Sequence, residues 1–259
     1  MHPGPAPPDH AVVQRLRGAG CVFAEEEAVL LVAAARDPRE LSRLVDRRVA
    51  GTPLEQLVGW AEFCGLRIAV APGVFVPRRR TGLVVREAVA LARPGAVVVD
   101  LCCGTGAVGA AVAAAVPGID LHAADVDPAA VRCARRNLPG VPVHEGDLFA
   151  ALPGELAGRV AVLTANVPYV PTAVIPLMPP EARDHEPRIA LDGGADGLAL
   201  VRRVVADAPA WLAGGGAVLF ECGEGQTGTA VDVVTTAGLA VRVVTDDDLG
   251  ATVVVGRRP

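Results

Sequence analysis

The spacing of apolar positions changes character twice along this chain. From Asp9 to Val58 apolar residues recur at the period of amphipathic helices. AVVQRLRGAG follows Asp9, a good N-cap, and runs out at Gly18 or Gly20. EEEAVLLVAAAR carries acids in its first turn and Arg36 at its end, as the helix dipole favours. PRELSRLVDRRVAG opens on Pro38 and stops at Gly51. The period then drops to that of a strand. FCGLRIAV and VFVP flank Ala71-Pro72-Gly73, which predicts a β-hairpin turning at that tripeptide.

From Gly95 onward strand and helix patterns alternate. AVVVDL, IDLHAAD, VPVHEGD, VAVLTAN and GAVLFEC read as strands. Between them the alanine-rich stretch to Val116, PAAVRCARRNL, GLALVRRVVADAPAWLA and QTGTAVDVVTTAG read as helices, and a long proline-rich loop runs to about Ala195. AVRVVTDDD and ATVVVGR close the pattern with no room for a helix between them, so they must pair antiparallel. The expected fold is α/β: a doubly wound, seven-stranded sheet with an antiparallel C-terminal strand, preceded by a small helical domain. The expected divisions are a helical domain over 1–60, a hairpin linker over 61–81 and the sheet domain over 82–259.

Composition narrows the chemistry. The 259 residues are 51% hydrophobic but only 3% aromatic, so the core must be built from small aliphatic side chains. The most apolar run, Pro94 to Ile119, is interrupted by Asp100 and by glycines, and predicts strand, loop and helix rather than a membrane span. MHPGPAPPDH has no basic flank leading into an apolar core, so a frayed tail is expected rather than a signal peptide. All 24 basic residues are arginine, which excludes Schiff-base lysine chemistry and a P-loop lysine. A net charge of −5 without a basic stripe argues against a nucleic-acid-backbone partner. The six cysteines form no C-x-x-C and no zinc-spaced cluster, so a reduced, cytoplasmic protein without a metal is expected.

Two stretches carry candidate chemistry. VVVDLCCGTGAVG follows a strand and opens a helix, with Gly104, Gly106 and Gly109 at G-x-G-x-x-G spacing and Asp125 at the end of the next strand. Alone this satisfies the dinucleotide fingerprint. Asp100 points elsewhere: a carboxylate at the loop repels a pyrophosphate but suits a ligand bearing an ammonium and a sulfonium, such as S-adenosylmethionine. Asp125 then accepts from the ribose, Asp147 from the adenine amino group, and Leu148 or Phe149 covers the ring.

The second stretch is LTANVPYVPT, which holds the chain's single tyrosine. Asn166 closes the fourth strand and so faces the same crevice as Asp100. A carboxamide nitrogen is a poor nucleophile because its lone pair is delocalised. Two acceptors on its N–H groups orient it: the side-chain oxygen of Asn166 and the carbonyl of Val167, whose direction Pro168 restricts. The Tyr169 ring is expected to lie against a planar target and the cationic methyl donor.

These residues resemble the protein N5-glutamine methyltransferases, which act on peptide-chain release factors and a ribosomal protein. DLCCGTGAVG, ADVDPAAVRCARRN, NVPY and HEPRIALDGGADGL stand in the family's order, and GTPLEQLVGWAEFCGLRIAV and VFVPRRRTG resemble its linker. The resemblance implies a class I S-adenosylmethionine-dependent methyltransferase fold. It implies cofactor contacts from Cys102, Cys103, Gly104, Thr105, Gly106, Asp125 and Leu148, and a substrate glutamine held by Asn166, Val167, Pro168 and Tyr169. It implies a release factor or ribosomal protein as partner, chosen with help from the helical domain. Val167 stands where the family has proline, and Arg80 and Gly82 stand in an acidic segment. Three other readings of the residues stay open: an amino-methyltransferase acting on a flipped base, a non-catalytic S-adenosylmethionine-binding module, and an NAD-dependent oxidoreductase.

Overall fold

The computed structural model of this chain describes residues 9–259, so the expected frayed tail lies largely outside the described residues. Four helices come first: α1 (His10–Gly18), α2 (Ala24–Ala34), α3 (Pro38–Val49) and α4 (Leu54–Val58). The Asp9 carboxylate accepts from Ala11 N at 2.9 Å and the Asp37 carboxylate from Glu40 N at 2.8 Å, each satisfying a main-chain donor that its helix leaves free. Arg36 does not close α2 as expected. The chain is already extended at Ala35, and Arg36 pairs with Glu40 at the start of α3. Leu16, Ala28, Leu31 and Val45 form the helical core. Beside it the buried Glu27 takes two bonds from Arg48, at 2.6 and 3.0 Å, and Arg48 reaches Glu181 at 3.2 Å.

A hairpin of β1 (Trp60–Phe63) and β2 (Leu66–Ala69) follows. It turns at Cys64-Gly65, not at Ala71-Pro72-Gly73, and VFVP forms no strand. Both turn residues have positive φ, +50° and +78°, the twist a two-residue hairpin loop needs. Cysteine at such a position gives no sequence signal, which is why the turn was misplaced. Helix α5 (Gly82–Leu91) is also absent from the predicted elements, and it buries Leu83, Val84 and Ala88 completely against the sheet.

The sheet comprises β3 (Val97–Leu101), β4 (Asp120–Asp125), β5 (Val143–Glu145), β6 (Val160–Ala165), β7 (Leu212–Cys222), β8 (Ala240–Asp246) and β9 (Ala251–Arg257). Their order is β5-β4-β3-β6-β7-β9-β8, and β9 runs antiparallel to both its neighbours. Helices α6 (Ala107–Ala115), α7 (Pro128–Asn137), α8 (Pro180–His185), α9 (Ala199–Trp211) and α10 (Thr227–Thr236) complete the chain. Alternate strand residues face opposite layers. Val98, Val162 and Leu219 pack with α5 and α6; Val99, Leu163 and Val218 pack with α9 and α10. Among the described residues no helix is long and apolar enough to cross a membrane. The strand order reverses between β3 and β6, whose register sets Asp100 beside Thr164 and Leu101 beside Ala165. The loops leaving those two strands therefore open onto one crevice.

Candidate active site

The crevice is a cavity lined by the β3, β4, β5 and β6 loops, by the linker from Phe75 to Thr81 and by the segment from Glu186 to Leu191. Two strained residues mark its β3–β5 side: Cys102 at φ +53° and Leu148 at φ +48°, a region non-glycine residues seldom occupy. Gly104 N donates to Asp125 Oδ2 at 2.8 Å, and Asp127 N to Asp125 Oδ1 at 2.9 Å. Burial pushes the Asp125 carboxyl up, against those two main-chain donors. Cys102, Cys103, Gly104, Thr105, Asp125, Asp147 and Leu148 all line the cavity. Burial raises both thiols far above the ordinary cysteine range, so Cys102 and Cys103 stay protonated and pack rather than react.

The remaining expected cofactor residues differ in how they meet the cavity, and Asp100, Asp147 and Leu148 belong to its lining. Asp100 has no exposed surface: its Oδ2 accepts from Gly109 N at 2.9 Å and its Oδ1 from Thr164 Oγ1 at 2.9 Å. It braces β6 and the start of α6 from the floor of the cavity, whose lining it joins. Burial lifts its pKa to about 6. Gly106 is outside the lining; at φ +76° it caps α6, and a Cβ there would stand 2.9 Å from Leu138 of the segment after α7. The missing Cβ leaves room for Ala134 and Leu138. The Asp147 carboxylate is half exposed and is held by Arg203 at 2.6 Å, and Phe149 stacks on Trp211 with ring centres 5.3 Å apart. Leu148 alone of that segment's apolar pair lines the cavity.

Across the crevice, Asn166, Val167, Pro168 and Tyr169 leave the end of β6 and all line the same cavity. Among the described residues neither the Asn166 amide nor the Val167 carbonyl hydrogen-bonds to protein. The loop is nonetheless tightly held from behind. Gly193 and Gly197 lie against its backbone: a Cβ on Gly193 would stand 2.7 Å from Pro168 O, and one on Gly197 2.2 Å from Tyr169 O. Tyr169 does not stand free in the crevice. Its hydroxyl donates to Glu221 at 2.6 Å and accepts from Arg80, whose guanidinium sits 5.3 Å over the ring. Burial first, then the Glu221 charge, pushes the phenol well above its ordinary range.

Several residues of the site escape the sequence reading. Arg78 pairs with the buried Glu186 at 2.7 Å, and both line the cavity. Arg80, Glu221 and Gln226 all touch Tyr169. The run of glycines from 193 to 197 is the one local signal of a close backbone approach at this loop.

Comparison with known proteins bears on what such a crevice does. The family described as Methyltransferase small domain matches residues 66–157. A release factor glutamine methyltransferase of Geobacter sulfurreducens is 37% identical over 229 residues, covering 86% of this chain and 80% of that protein. A 4-amino-L-phenylalanine/4-methylamino-L-phenylalanine methyltransferase of Streptomyces pristinaespiralis is 38% identical over 198 residues, covering 73% of this chain and 67% of that protein. Among solved structures, a methyltransferase from Pyrococcus furiosus superposes with a TM-score of 0.58 at 16% identity, covering 84% of this chain and 98% of that one.

Proposed function

Because this chain belongs to the release factor glutamine methyltransferase family, we propose that it methylates the side-chain amide nitrogen, N5, of a glutamine in a peptide-chain release factor. The observation that carries this reading is the pair of oxygens, Asn166 Oδ1 and Val167 O, that have no protein partner among the described residues, on the loop facing the glycine turn.

The crevice fits S-adenosylmethionine on its β3–β5 side. Gly104, at φ +55° with open space where a Cβ would be, lets a ligand approach the main chain. Each Asp125 oxygen holds one main-chain N–H and keeps a lone pair, which suits the hydroxyls of a ribose. Leu148 offers an apolar wall for the adenine. When bound, this cofactor supplies an electrophilic methyl group on a sulfonium.

The protein's own work falls on the β6 side. Asn166 Oδ1 and Val167 O accept the two N–H groups of the target carboxamide and orient its nitrogen. Pro168 keeps Val167 out of the helical region, so that its carbonyl stays aimed into the crevice. No strong base is required, since the methylated amide is acidic enough to give its extra proton to water. Tyr169 offers the target only the ring face that Arg80 leaves uncovered. We assign selection of the protein partner to the helical region over 1–60, with 61–81 as linker and 82–259 as the methyltransferase domain, acting in the cytoplasm where release factors work. The contact of Arg48 with Glu181 and of Gln56 with His185 O supports a coupling of that region to the segment entering the site.

The test is mass spectrometry of intact release factors, ribosomal proteins, a glutamine peptide, duplex DNA and 4-amino-L-phenylalanine after incubation with S-adenosylmethionine. One added methyl on a release-factor glutamine is expected. Methylation of the free amino acid or of DNA in its place would replace this reading.

A further inference from the structure

Tyr169 is gripped at two points by one short stretch of chain, the end of β7 and the turn into α10. Its hydroxyl donates to Glu221 Oε1 at 2.6 Å. Its main-chain carbonyl accepts from Gln226 Nε2 at 2.8 Å. Glu221 is 2% exposed, and its remaining capacity is also taken: Oε2 accepts from Thr81 Oγ1 at 2.9 Å, and Oε1 meets Arg80 Nε at 2.7 Å. Gln226 is equally committed, with Nε2 also on Asp196 O at 2.9 Å and Oε1 accepting from Gly223 N at 2.7 Å. Neither residue lines the cavity, so neither touches a bound ligand there.

A buried carboxylate is costly unless its lone pairs are filled, and removing its partners strands the charge. Glu221 meets that demand by joining three segments: the linker through Thr81 and Arg80, the acceptor loop through Tyr169, and the sheet through its own strand. The acceptor loop is thus fixed at both ends. Ala165 is paired with Leu101 in the sheet, and Tyr169 is clamped at hydroxyl and carbonyl. Asn166 and Val167 lie between these two anchors. A displacement of about 1 Å at such a point costs roughly 10²-fold in rate when the reacting geometry depends on it.

We propose that Glu221 and Gln226 are positioning residues for methyl transfer, acting through Tyr169 to hold the Asn166 and Val167 oxygens in place. The proposal rests on the acceptor role given to that loop above. Arg80 belongs to the same device: it balances the Glu221 charge and covers one face of the tyrosine ring.

The experiment compares Glu221→Ala, Glu221→Gln, Gln226→Ala and Tyr169→Phe with the full-length protein. For Glu221→Ala and Tyr169→Phe, kcat on the protein substrate should fall about 10-fold or more, as expected for a lost positioning contact. The calorimetric Kd for S-adenosylmethionine should stay within about 2-fold, a split that general loosening of the fold does not produce. The double variant should be no worse than the poorer single one, because both changes cut the same link. Glu221→Gln, which keeps an acceptor oxygen for the phenol, should retain most of the rate. Undiminished kcat in both Glu221→Ala and Tyr169→Phe, or a loss of cofactor affinity matching the loss of kcat, overturns the proposal. Should Glu221→Ala fail to fold, Tyr169→Phe and Gln226→Ala decide by the same criteria.

A second readout is independent of turnover. Because Tyr169 is the single tyrosine, tyrosinate absorbance reports it alone. Glu221 raises its pKa while Arg80 and Arg78 lower it. Glu221→Gln should therefore ionise at lower pH than wild type, whose phenol stays protonated through the alkaline range. Unchanged titration in Glu221→Gln overturns the contact. If the wild-type protein methylates no glutamine, the functional reading fails, and the titration still decides whether the clamp exists.

Discussion

The two walls of the crevice are built on opposite plans. On the β3–β4 wall the carboxylates are tied to their own main chain: Asp125 holds the amides of Gly104 and Asp127, and Asp100 holds that of Gly109. On the β6 wall the Asn166 and Val167 oxygens hold no partner among the described residues, and side chains and glycines stiffen the loop from behind. Local hydrogen bonds set the shape of the first wall. The second leaves its oxygens without a protein partner among the described residues and borrows rigidity from distant residues such as Glu221. Under the proposed function, the wall for the constant cofactor can be self-contained, whereas the wall that orients the substrate nitrogen has to leave polar atoms unspent.

The largest effect should come from the vacant side. Asn166→Ala should cost roughly 10²-fold or more in turnover, as for other preorganised polar contacts at a reacting centre, with cofactor affinity nearly unchanged by calorimetry. Undiminished methylation would remove the acceptor role. Next comes the support behind that wall. Gly197→Ala puts a Cβ 2.2 Å from both Tyr169 O and Gln226 Nε2 at a φ of +81°, so the loop must shift. A loss of about 10-fold in kcat is expected from a misplacement of this kind, and wild-type rates would show that the loop tolerates movement. On the self-contained wall, Asp125→Ala should weaken S-adenosylmethionine binding about 10-fold, the scale of one charge-assisted hydrogen bond, without unfolding the chain. Equal calorimetric affinities for variant and wild type would count against the ribose contact.

Asp100→Asn should change activity least and pH dependence most. The folded pKa of about 6 lies above the ordinary 3.8, so the native state binds this proton more tightly than the unfolded chain. Asp100 therefore contributes stability below pH ~4 that is lost as pH rises through ~6, a swing of at most about 3 kcal/mol. Denaturant midpoints should move in the variant's favour between pH 4 and pH 7.5. A gap that does not change with pH would mean that the buried carboxyl titrates normally.

The same contrast explains what could be read from sequence. The β3–β4 wall is assembled from contacts near in sequence, and the alternation of strand and helix, the glycine turn and Asp125 are all legible from period and spacing. The β6 wall depends on pairs such as Thr81 with Glu221 and Tyr169 with Glu221, which no local pattern connects. Asp100 was legible as a residue but not as a buried one, since exposure of a strand-end carboxylate is set by the helix that closes over it. The hairpin turn was lost because Cys64 takes a positive φ without being glycine or asparagine. Helix α5 is missing from the predicted elements although GLVVREAVAL buries Leu83, Val84 and Ala88 completely.

Strand β9 fills the gap between β7 and β8, though β8 precedes it in the chain. Strand β8 thus has no sheet neighbour to join until β9 exists, and a short polar turn brings the two together cheaply. The economical route is for that hairpin to form first and then zip onto β7 as a single unit. Glu221 sits in the zipped stretch, opposite Val253. Ordering around Asn166 would then be among the last events of folding, and amide exchange at Asn166, Val167 and Tyr169 should report the docking of that hairpin.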